Sequence, residues 1–196
     1  MSSTAYPFGM VPTQQLAAGY NTQGFNAYAI EDGEATSIFY GDVVEILTTG
    51  YIEKDVGTTT LTPIGVFVGA SYVDPSLKYF LNSQFWPGAT TTSVTTGPGR
   101  PLGYVVDDPN AVFLIQADAT LDQSAIGANA AIVQTAGTTA IGKSRNALSA
   151  SSVDTTSTLP LRIIGLAELP DNAWGDAFPI VLVKFNNHQL TTQTGI

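Results

Sequence analysis

Short apolar runs rich in β-branched and aromatic residues recur along the chain, and glycine, proline or aspartate residues separate them. The clearest runs lie at residues 38–40, 43–47, 64–68, 102–106, 112–116, 128–133, 161–166 and 180–185. The runs do not alternate strictly between apolar and polar residues, which is typical of strands covered on both faces. No long stretch keeps the apolar spacing of a helix. The pattern therefore predicts a mainly β protein, either a β-sandwich or a β-barrel of jelly-roll or tulip-like form, with long loops.

The segments between the runs suggest how the chain is organised. Residues 87–101 are rich in threonine, proline and glycine, as loops are, and they could divide a β domain at 36–185 into two β subunits. Residues 134–158 are rich in small residues and predict a long surface excursion, a kind of loop that tends to be functional. Residues 186–196 predict a polar C-terminal tail.

A weak internal similarity links the two halves of the chain. Residues 41–44 and 63–66 form a pair of apolar segments around a threonine-rich gap, and residues 127–133 and 162–166 form another. In each half, an apolar strand leads through small residues to a strand that contains isoleucine and glycine. Tandem β units would explain this similarity, and so would chance resemblance between segments of similar composition.

The first thirty residues carry no charged side chain, although they contain several aromatic residues. Disordered tails are usually charged and poor in aromatic residues. Residues 1–35 therefore predict an extended N-terminal arm, which lies either on its own domain or on a neighbouring subunit. The candidate contact residues are those of the arm and of a second aromatic group, namely Tyr6, Phe8, Met10, Tyr20, Phe25, Tyr28, Tyr79, Phe80, Phe85 and Trp86.

Composition excludes several classes of function. The chain has no cysteine, a single histidine and a net charge of −9, with only seven basic residues, which are scattered. Nucleic-acid binding depends on clustered lysine and arginine, and anionic membrane surfaces also attract clusters of basic residues. We therefore expect no nucleic-acid partner and no membrane partner. No apolar stretch approaches the roughly 20 residues of a membrane-spanning helix.

The adjacent carboxylates Asp107 and Asp108 are the most attractive catalytic pair, since glycosidases use two carboxylates. Neighbouring residues on a strand point to opposite faces, however, and Pro109-Asn110 follows directly. Aspartate before such a turn normally accepts hydrogen bonds from nearby backbone donors. The pattern favours a turn over a hydrolase site.

The remaining polar candidates also favour structural roles. Glu31, Asp32 and Glu34, and separately Asp118 and Asp122, could bind calcium, but neither set has the spacing of an EF-hand loop, so exposed acidic turns are favoured. The single histidine, His188, lies in the polar tail, and no Gly-x-Ser-x-Gly motif accompanies it. It is expected to be an ordinary surface residue. We therefore expect no enzyme activity, no catalytic or metal-binding residues and no cofactor.

The aromatic group around Trp86 leaves two interpretations open besides a subunit contact. Tyr79, Phe80 and Trp86 could stack on sugars, as in carbohydrate-binding modules. No set of flanking polar residues stands ready to bind sugar hydroxyls, so a small hydrophobic core is the simpler interpretation.

Residues 103–133 resemble a segment found in virion structural proteins of tailed bacteriophages. Residues 6–10, 40–44 and 63–69 are similar to other parts of such proteins. The resemblance implies a capsid decoration (cement) protein, a homotrimer that binds the major capsid protein on the outer surface of the head, after synthesis in the host bacterial cytoplasm. A tail, neck or head-fibre component is the alternative within the virion. The major capsid protein itself is disfavoured, because no segment could form its long spine helix.

Overall fold

The computed structural model describes residues 4–15, 19–20 and 24–191. These residues form short strands and two 3₁₀ turns, Gln123–Ala125 and Ala150–Ser152. The strands are β1 (Val11–Gln15), β2 (Gly19–Tyr20), β3 (Asn26–Ala29), β4 (Val43–Ile46), β5 (Ile52–Lys54), β6 (Gly65–Val73), β7 (Phe80–Ser83), β8 (Leu102–Val106), β9 (Ala111–Gln116), β10 (Asn129–Ala130), β11 (Ile132–Val133), β12 (Ala147–Leu148), β13 (Leu161–Leu166) and β14 (Ile180–Phe185).

The strands form two larger antiparallel sheets. Sheet A has the order β10-β13-β14-β9-β1-β2, and sheet B has the order β3-β8-β6-β4-β5. Strand β7 pairs with the C-terminal half of β6, and β11 and β12 form a small separate pair. Isolated parallel bridges also join Ile30, after β3, to Ile52 of β5, and Ala117, after β9, to Leu148 of β12. The prediction of a mainly β protein is confirmed, and this arrangement agrees with a sandwich.

Sheet B is covered on both faces. Val66 and Val106 belong to the core that it shares with Phe113, Ile163 and other residues of sheet A. Neighbouring residues on the same strands point the other way, into a second core that contains Trp86 and Ile38. This arrangement explains why the apolar runs of sheet B are continuous and do not alternate.

The two halves of the chain repeat one β unit. Residues 26–106 contain β3, β8, β6, β4 and β5 in that spatial order, and residues 111–185 contain β9, β14, β13 and β10 in the same relative order. After β10 comes the small pair β11-β12, which is the counterpart of the β4-β5 hairpin. Ile132 of β11 pairs with Leu148 of β12 in the same way that Ile46 of β4 pairs with Ile52 of β5. We call these two segments the first and second β units.

Details of pairing also recur between the units. The bulge between Phe67 and Gly69 in β6 has its counterpart between Ile163 and Gly165 in β13. Gly41 donates its N–H to the carbonyl oxygen of Phe67 at 2.8 Å. Its counterpart Gly127, which also has a positive φ, donates in the same way to Ile163 at 2.9 Å.

A further shared bond joins the start of each unit to a proline. Ile30 donates its N–H to the carbonyl oxygen of Pro101 at 3.1 Å, and Ala117 donates to that of Pro179 at 2.9 Å. Such agreement over several strands is not expected from composition alone. The structure therefore favours tandem β units over chance as the origin of the internal similarity.

The predicted organisation of the chain needs four corrections. The described part of the arm contributes β1 to sheet A and β3 to sheet B, so it packs on its own domain. The division between the units lies in the turn between β8 and β9, because residues 87–101 are fastened within the first unit. One such bond joins the N–H of Gly33 to the carbonyl oxygen of Thr90 at 3.0 Å.

The other two corrections concern the long excursion and the tail. Residues 134–158 do not simply cross the surface, because Ser144, Asn146 and Leu148 are buried. Residues 186–191 of the tail lie against sheet B, where Gln189 donates its N–H to the carbonyl oxygen of Pro63 at 2.9 Å. Residues 192–196 lie outside the described part of the chain.

Candidate interaction surfaces and buried polar sites

A tight turn connects β6 to β7 and is organised by Asp74. The Oδ1 atom of Asp74 accepts hydrogen bonds from the backbone N–H groups of Ser76 at 2.8 Å and Leu77 at 2.7 Å. The Asp74 N–H donates to the carbonyl oxygen of Tyr79 at 3.0 Å, and Lys78 donates to that of Asp74 at 2.9 Å. The carboxylate of Asp74 therefore fixes the backbone of this turn.

Three apolar side chains project from this turn into solvent. Leu77 is 59% exposed, Tyr79 is 53% exposed and Phe80 is 52% exposed. We call these three residues the apolar tip. Large exposed apolar groups that cluster on a surface are typical of interaction sites. Tyr79 and Phe80 were among the candidate contact residues, whereas Leu77 was not, although the Asp74-Pro75 turn signal could have placed it at the end of a hairpin.

Phe85 and Trp86 do not join the apolar tip. Trp86 is fully buried, contacts the ring of Tyr72 edge-on at 5.2 Å and donates its indole N–H to the carbonyl oxygen of Glu34 at 3.2 Å. Phe85 stacks on Phe39 with a separation of 5.6 Å between ring centroids. The expectation of a partner contact is therefore corrected for Trp86, which is a core residue of the first unit.

The candidate residues at the start of the arm have different environments. Tyr6 is 65% exposed, and its backbone N–H donates to Oε1 of Gln116 at 2.8 Å. Phe8 is partly buried. Met10 is fully buried in the core between the sheets, so its expected role as a contact residue is corrected. The side chain of Tyr20 lies outside the described part of the structure.

Two further arm residues lie at the edge of sheet B. Phe25 is 54% exposed and contacts the ring of Tyr104 edge-on at 5.1 Å. The hydroxyl group of Tyr28 donates to Oδ2 of Asp107 at 2.6 Å. Burial and then this interaction with Asp107 raise the pKa of Tyr28 far above its ordinary value. The candidate contact residues thus lie in several separate places.

The adjacent aspartates divide into two structural roles. Oδ1 of Asp108 accepts the N–H of Asn110 at 2.8 Å, as the turn interpretation predicts. Asp107 is largely buried and instead accepts two bonds from the side-chain amide of Asn26, at 2.8 and 3.0 Å, besides that of Tyr28. The expectation of a local backbone partner is therefore wrong for Asp107, which ties β3 to the end of β8.

Some of the acidic residues that were weighed as calcium ligands have protein partners. Asp32 accepts bonds from the N–H and hydroxyl of Thr92, at 2.7 and 2.8 Å, and thereby holds the threonine-rich loop. Asp118 accepts the N–H of Ala150 at 2.8 Å. Asp122 precedes the 3₁₀ turn without capping it through its side chain. Among the described residues, no group of three potential ligands is placed to hold a metal ion.

A buried ion pair joins the excursion to the first unit. The Asp42 carboxylate lies 3.1 Å from Nζ of Lys54, accepts the hydroxyl of Ser144 at 2.6 Å and accepts the backbone N–H of Phe39 at 3.0 Å. Asn146 adds a longer bond at 3.3 Å. These partners are far apart in the sequence, and no motif in the chain indicated that they would meet.

A second acidic group lies on the β4-β5 hairpin. Glu45 and Glu53 are directly opposite each other, and Asp55 is nearby. Burial is the main reason that the pKa of Glu53 lies above its ordinary value, and the charges of Glu34 and Asp55 add to the effect. Burial also raises the pKa of Glu45, with a contribution from Asp55.

His188 is buried, which corrects the expectation of a surface histidine. Its Nδ1 atom accepts the backbone N–H of Leu190 at 3.2 Å, and its ring faces Phe185 at 6.3 Å. Nε2 has no hydrogen-bond partner among the described residues. Burial lowers the pKa of His188, and the nearby charges of Asp107 and Asp108 oppose this shift only in part.

Within the described residues, no helix has the length and apolar character needed to cross a membrane. No protein-family model, no curated protein and no solved structure matches the chain.

Proposed function

We propose that this chain is a capsid decoration protein that binds the outer surface of a tailed-phage head and stabilises the lattice of the major capsid protein. In this proposal the protein works as a homotrimer, is made in the host bacterial cytoplasm and becomes part of the virion. The protein acts by binding the capsid lattice and not by catalysis. The sequence resemblance of residues 6–10, 40–44, 63–69 and 103–133 to virion structural proteins is the starting point.

The observation that carries the proposal is the apolar tip. Three neighbouring apolar side chains of the β6-β7 turn are each more than half exposed, whereas most large apolar groups of sheet B are buried. Aromatic residues are enriched among the side chains that dominate binding energy at protein interfaces. Because Asp74 already fixes the backbone of the turn, docking of the tip costs little conformational entropy.

Charge supports a position on the outside of the head. The net charge of −9 would oppose close contact with packaged DNA, which is itself densely negative. The same charge is compatible with an external surface exposed to solvent. The two apolar cores that cover the opposite faces of sheet B would give the protein the stiffness that a reinforcing subunit requires.

The proposal is tested with purified heads of the phage whose genome encodes the chain. A variant with Leu77→Ser, Tyr79→Ser and Phe80→Ser removes the apolar tip, while Asp74 keeps the turn. We expect co-sedimentation with expanded heads to fall at least tenfold relative to the unaltered protein, because a tenfold change needs only about 1.4 kcal/mol. Near- and far-ultraviolet circular dichroism checks that the fold is kept.

Val56→Ser is the matched control. Val56 is 70% exposed but follows β5, which β4 separates from β6, whereas the tip follows the end of β6. If the tip variant bound heads as tightly as the unaltered protein, the proposal that the apolar tip contacts the head would be wrong. Binding to isolated tails in place of heads would support the alternative of a tail, neck or head-fibre component.

The carbohydrate-binding alternative loses one of its three stacking residues, because Trp86 is buried. Tyr79 and Phe80 remain exposed, so the tip variant also tests it. Glycan binding by the unaltered protein, lost on removal of the tip, would contradict the decoration proposal.

A further inference from the structure

A cavity of about 260 Å³ lies where the threonine-rich loop meets the end of β3 and the turn of the β4-β5 hairpin. This volume is close to the lower limit of small-ligand pockets, roughly 300 Å³, so the cavity suits a ligand the size of one ring. The residues of its lining that can form hydrogen bonds through their side chains are Glu31, Asp32, Tyr51, Thr95, Thr96 and Arg100.

The walls of this cavity are fastened to one another. Ile30 donates its N–H to the carbonyl oxygen of Pro101 at 3.1 Å and forms a parallel bridge with Ile52, which places the hairpin beside the end of β3. The Asp32 carboxylate accepts the N–H of Thr92 at 2.7 Å and so holds the loop from the other direction. Because these contacts already join the three segments, a ligand would bind with little loss of conformational entropy.

Side chains of both charges line the cavity. Arg100 and Glu31 are exposed, and neither side chain has a hydrogen-bond or ion-pair partner among the residues that the structure describes. The guanidinium group only donates and the carboxylate only accepts, whereas the hydroxyl groups of Thr95 and Thr96 do both. Asp32 adds a second negative charge. The cavity therefore offers unused donors and acceptors side by side.

This mixture of groups discriminates between classes of ligand. An anion would meet the two carboxylates, and a cation would meet the guanidinium group. An apolar ligand would remove water from all of these groups without replacing its hydrogen bonds. A neutral ligand with several hydroxyl groups can donate to Glu31 and accept from Arg100 at the same time. Tyr51 adds an aromatic residue, which suits the apolar face of a sugar ring.

We infer that this cavity binds one pyranose ring of a neutral saccharide, and we call it the saccharide site. Arg100 and Glu31 bind the hydroxyl groups of the ring, and Tyr51 packs against it. The saccharide site differs from the stack of Tyr79, Phe80 and Trp86 that the sequence left open. It shares no residue with the apolar tip and does not rest on the capsid proposal, because it is measured with the isolated protein.

Amide NMR spectra of the isolated protein test the saccharide site. The protein is titrated with methyl α-D-glucoside, methyl α-D-galactoside and methyl α-D-mannoside, each up to about 50 mM, since a single ring is expected to bind with a millimolar Kd. We expect at least one of the three to shift the amide signals of Glu31, Tyr51 and Thr96 in a saturable way. The tip variant should show the same shifts.

Arg100→Met keeps an unbranched side chain but removes the donors, and the spectrum itself reports whether the fold is kept. We expect the Kd of the glycoside that binds to rise about tenfold, because bonds from a charged donor are lost. Arg145→Met makes the same chemical change at an exposed residue of the excursion, and it should leave the Kd unchanged.

The uronate of the same sugar separates a saccharide site from a simple anion site. It carries the same ring with an added carboxylate, which would face Glu31 and Asp32, so we expect it to bind more weakly than the neutral glycoside. Tighter binding of the uronate would overturn the inference. So would the absence of saturable shifts with all three glycosides, an Arg100→Met variant that binds like the control, or loss of the shifts in the tip variant.

Discussion

The Nζ atom of Lys54 lies 3.1 Å from Oδ2 of Asp42, and this ion pair is buried beneath the excursion that Ser144 and Asn146 fasten to it. Lys54 is in β5 and Asp42 precedes β4, whereas Ser144 comes from the second unit. One carboxylate therefore connects three segments that the sequence places far apart.

Replacing Lys54 by methionine should leave the Asp42 carboxylate buried without its counter-charge. Removal of one partner of a buried pair typically costs about 3–5 kcal/mol, whereas an exposed pair contributes at most about 1 kcal/mol. We expect Lys54→Met to lower the free energy of unfolding by about 3–5 kcal/mol, as measured by urea denaturation at neutral pH. Lys143→Met, at an exposed residue, is the control. A loss no larger than that of the control would show that the pair adds little.

Gln189 fastens the C-terminal residues to β4. Its Oε1 atom accepts the N–H of Ile46 at 2.8 Å, and its Nε2 group donates to the carbonyl oxygen of Ile46 at 3.0 Å. Gln189→Glu keeps the acceptor but removes the donor, so a carboxylate would face the carbonyl oxygen of Ile46. We expect a loss of about 1–3 kcal/mol in the free energy of unfolding.

The same chemical change at the exposed Gln123 serves as the control for Gln189→Glu. Hydrogen exchange of the Ile46 amide adds a local measurement, because this amide should exchange faster in the Gln189 variant. Unchanged protection together with unchanged stability would contradict the role assigned to Gln189.

Glu53 faces Glu45 across the β4-β5 hairpin, and its pKa is raised by burial and by the charges of Glu34 and Asp55. A raised pKa means that the folded protein disfavours the carboxylate, so this residue lowers stability progressively as the pH rises from its unfolded pKa through its folded pKa. Glu53→Gln should therefore raise the free energy of unfolding at pH 7, by roughly 0.2–1 kcal/mol for a like-charge cross-strand pair.

The gain from Glu53→Gln should shrink as the pH falls towards about 4, where glutamate becomes protonated in both states. Thermal unfolding at several pH values measures this trend. Glu168→Gln, at an exposed residue after β13, removes the same charge away from the hairpin. An equal gain from both variants would indicate an effect of net charge and not of the pair.

His188 should make the stability of the protein depend on pH. Its pKa is lowered in the folded state, mainly by burial, so the unfolded chain takes up the proton first as the pH falls. The stability that the neutral ring provides is present above the unfolded pKa of about 6.5 and is lost progressively below it, down to the folded pKa. Asparagine at this position can accept the N–H of Leu190 but does not titrate.

Urea denaturation of the unaltered protein and of His188→Asn at about pH 7.5 and about pH 5.5 tests this, since carboxylates titrate mainly below this window. We expect the unaltered protein to lose more stability across the window than the variant. Parallel losses in the two proteins would show that another group causes the acid sensitivity.

The sequence correctly predicted features that depend mainly on neighbouring residues, such as strands and turns. Runs rich in valine and isoleucine predicted most of the longer strands, and Asp108 forms the turn that its neighbours Pro109 and Asn110 indicated. The similarity between residues 41–66 and 127–166 also pointed towards repeated units. Short strands such as β5 and β12 were missed, because two or three residues carry too little pattern to distinguish a strand from a loop.

The sequence was less informative about which side chains remain on the surface. Tyr79 and Trp86 have similar surroundings in the chain, yet one projects from a turn and the other fills a core. His188 and Asp42 gave no sign of burial either, because each depends on a segment from elsewhere in the chain. The grouping of the ten candidate contact residues could not be predicted for the same reason.

The sequence by itself determined the β class, the turns and the absence of charge from the first thirty residues, since these follow from the conformational preferences and chemistry of neighbouring residues. Tertiary structure alone decided that the arm enters both sheets and that Asp42 gathers distant partners. These features depend on contacts between residues separated by up to about a hundred positions, and only the packing of the two β units brings such residues together.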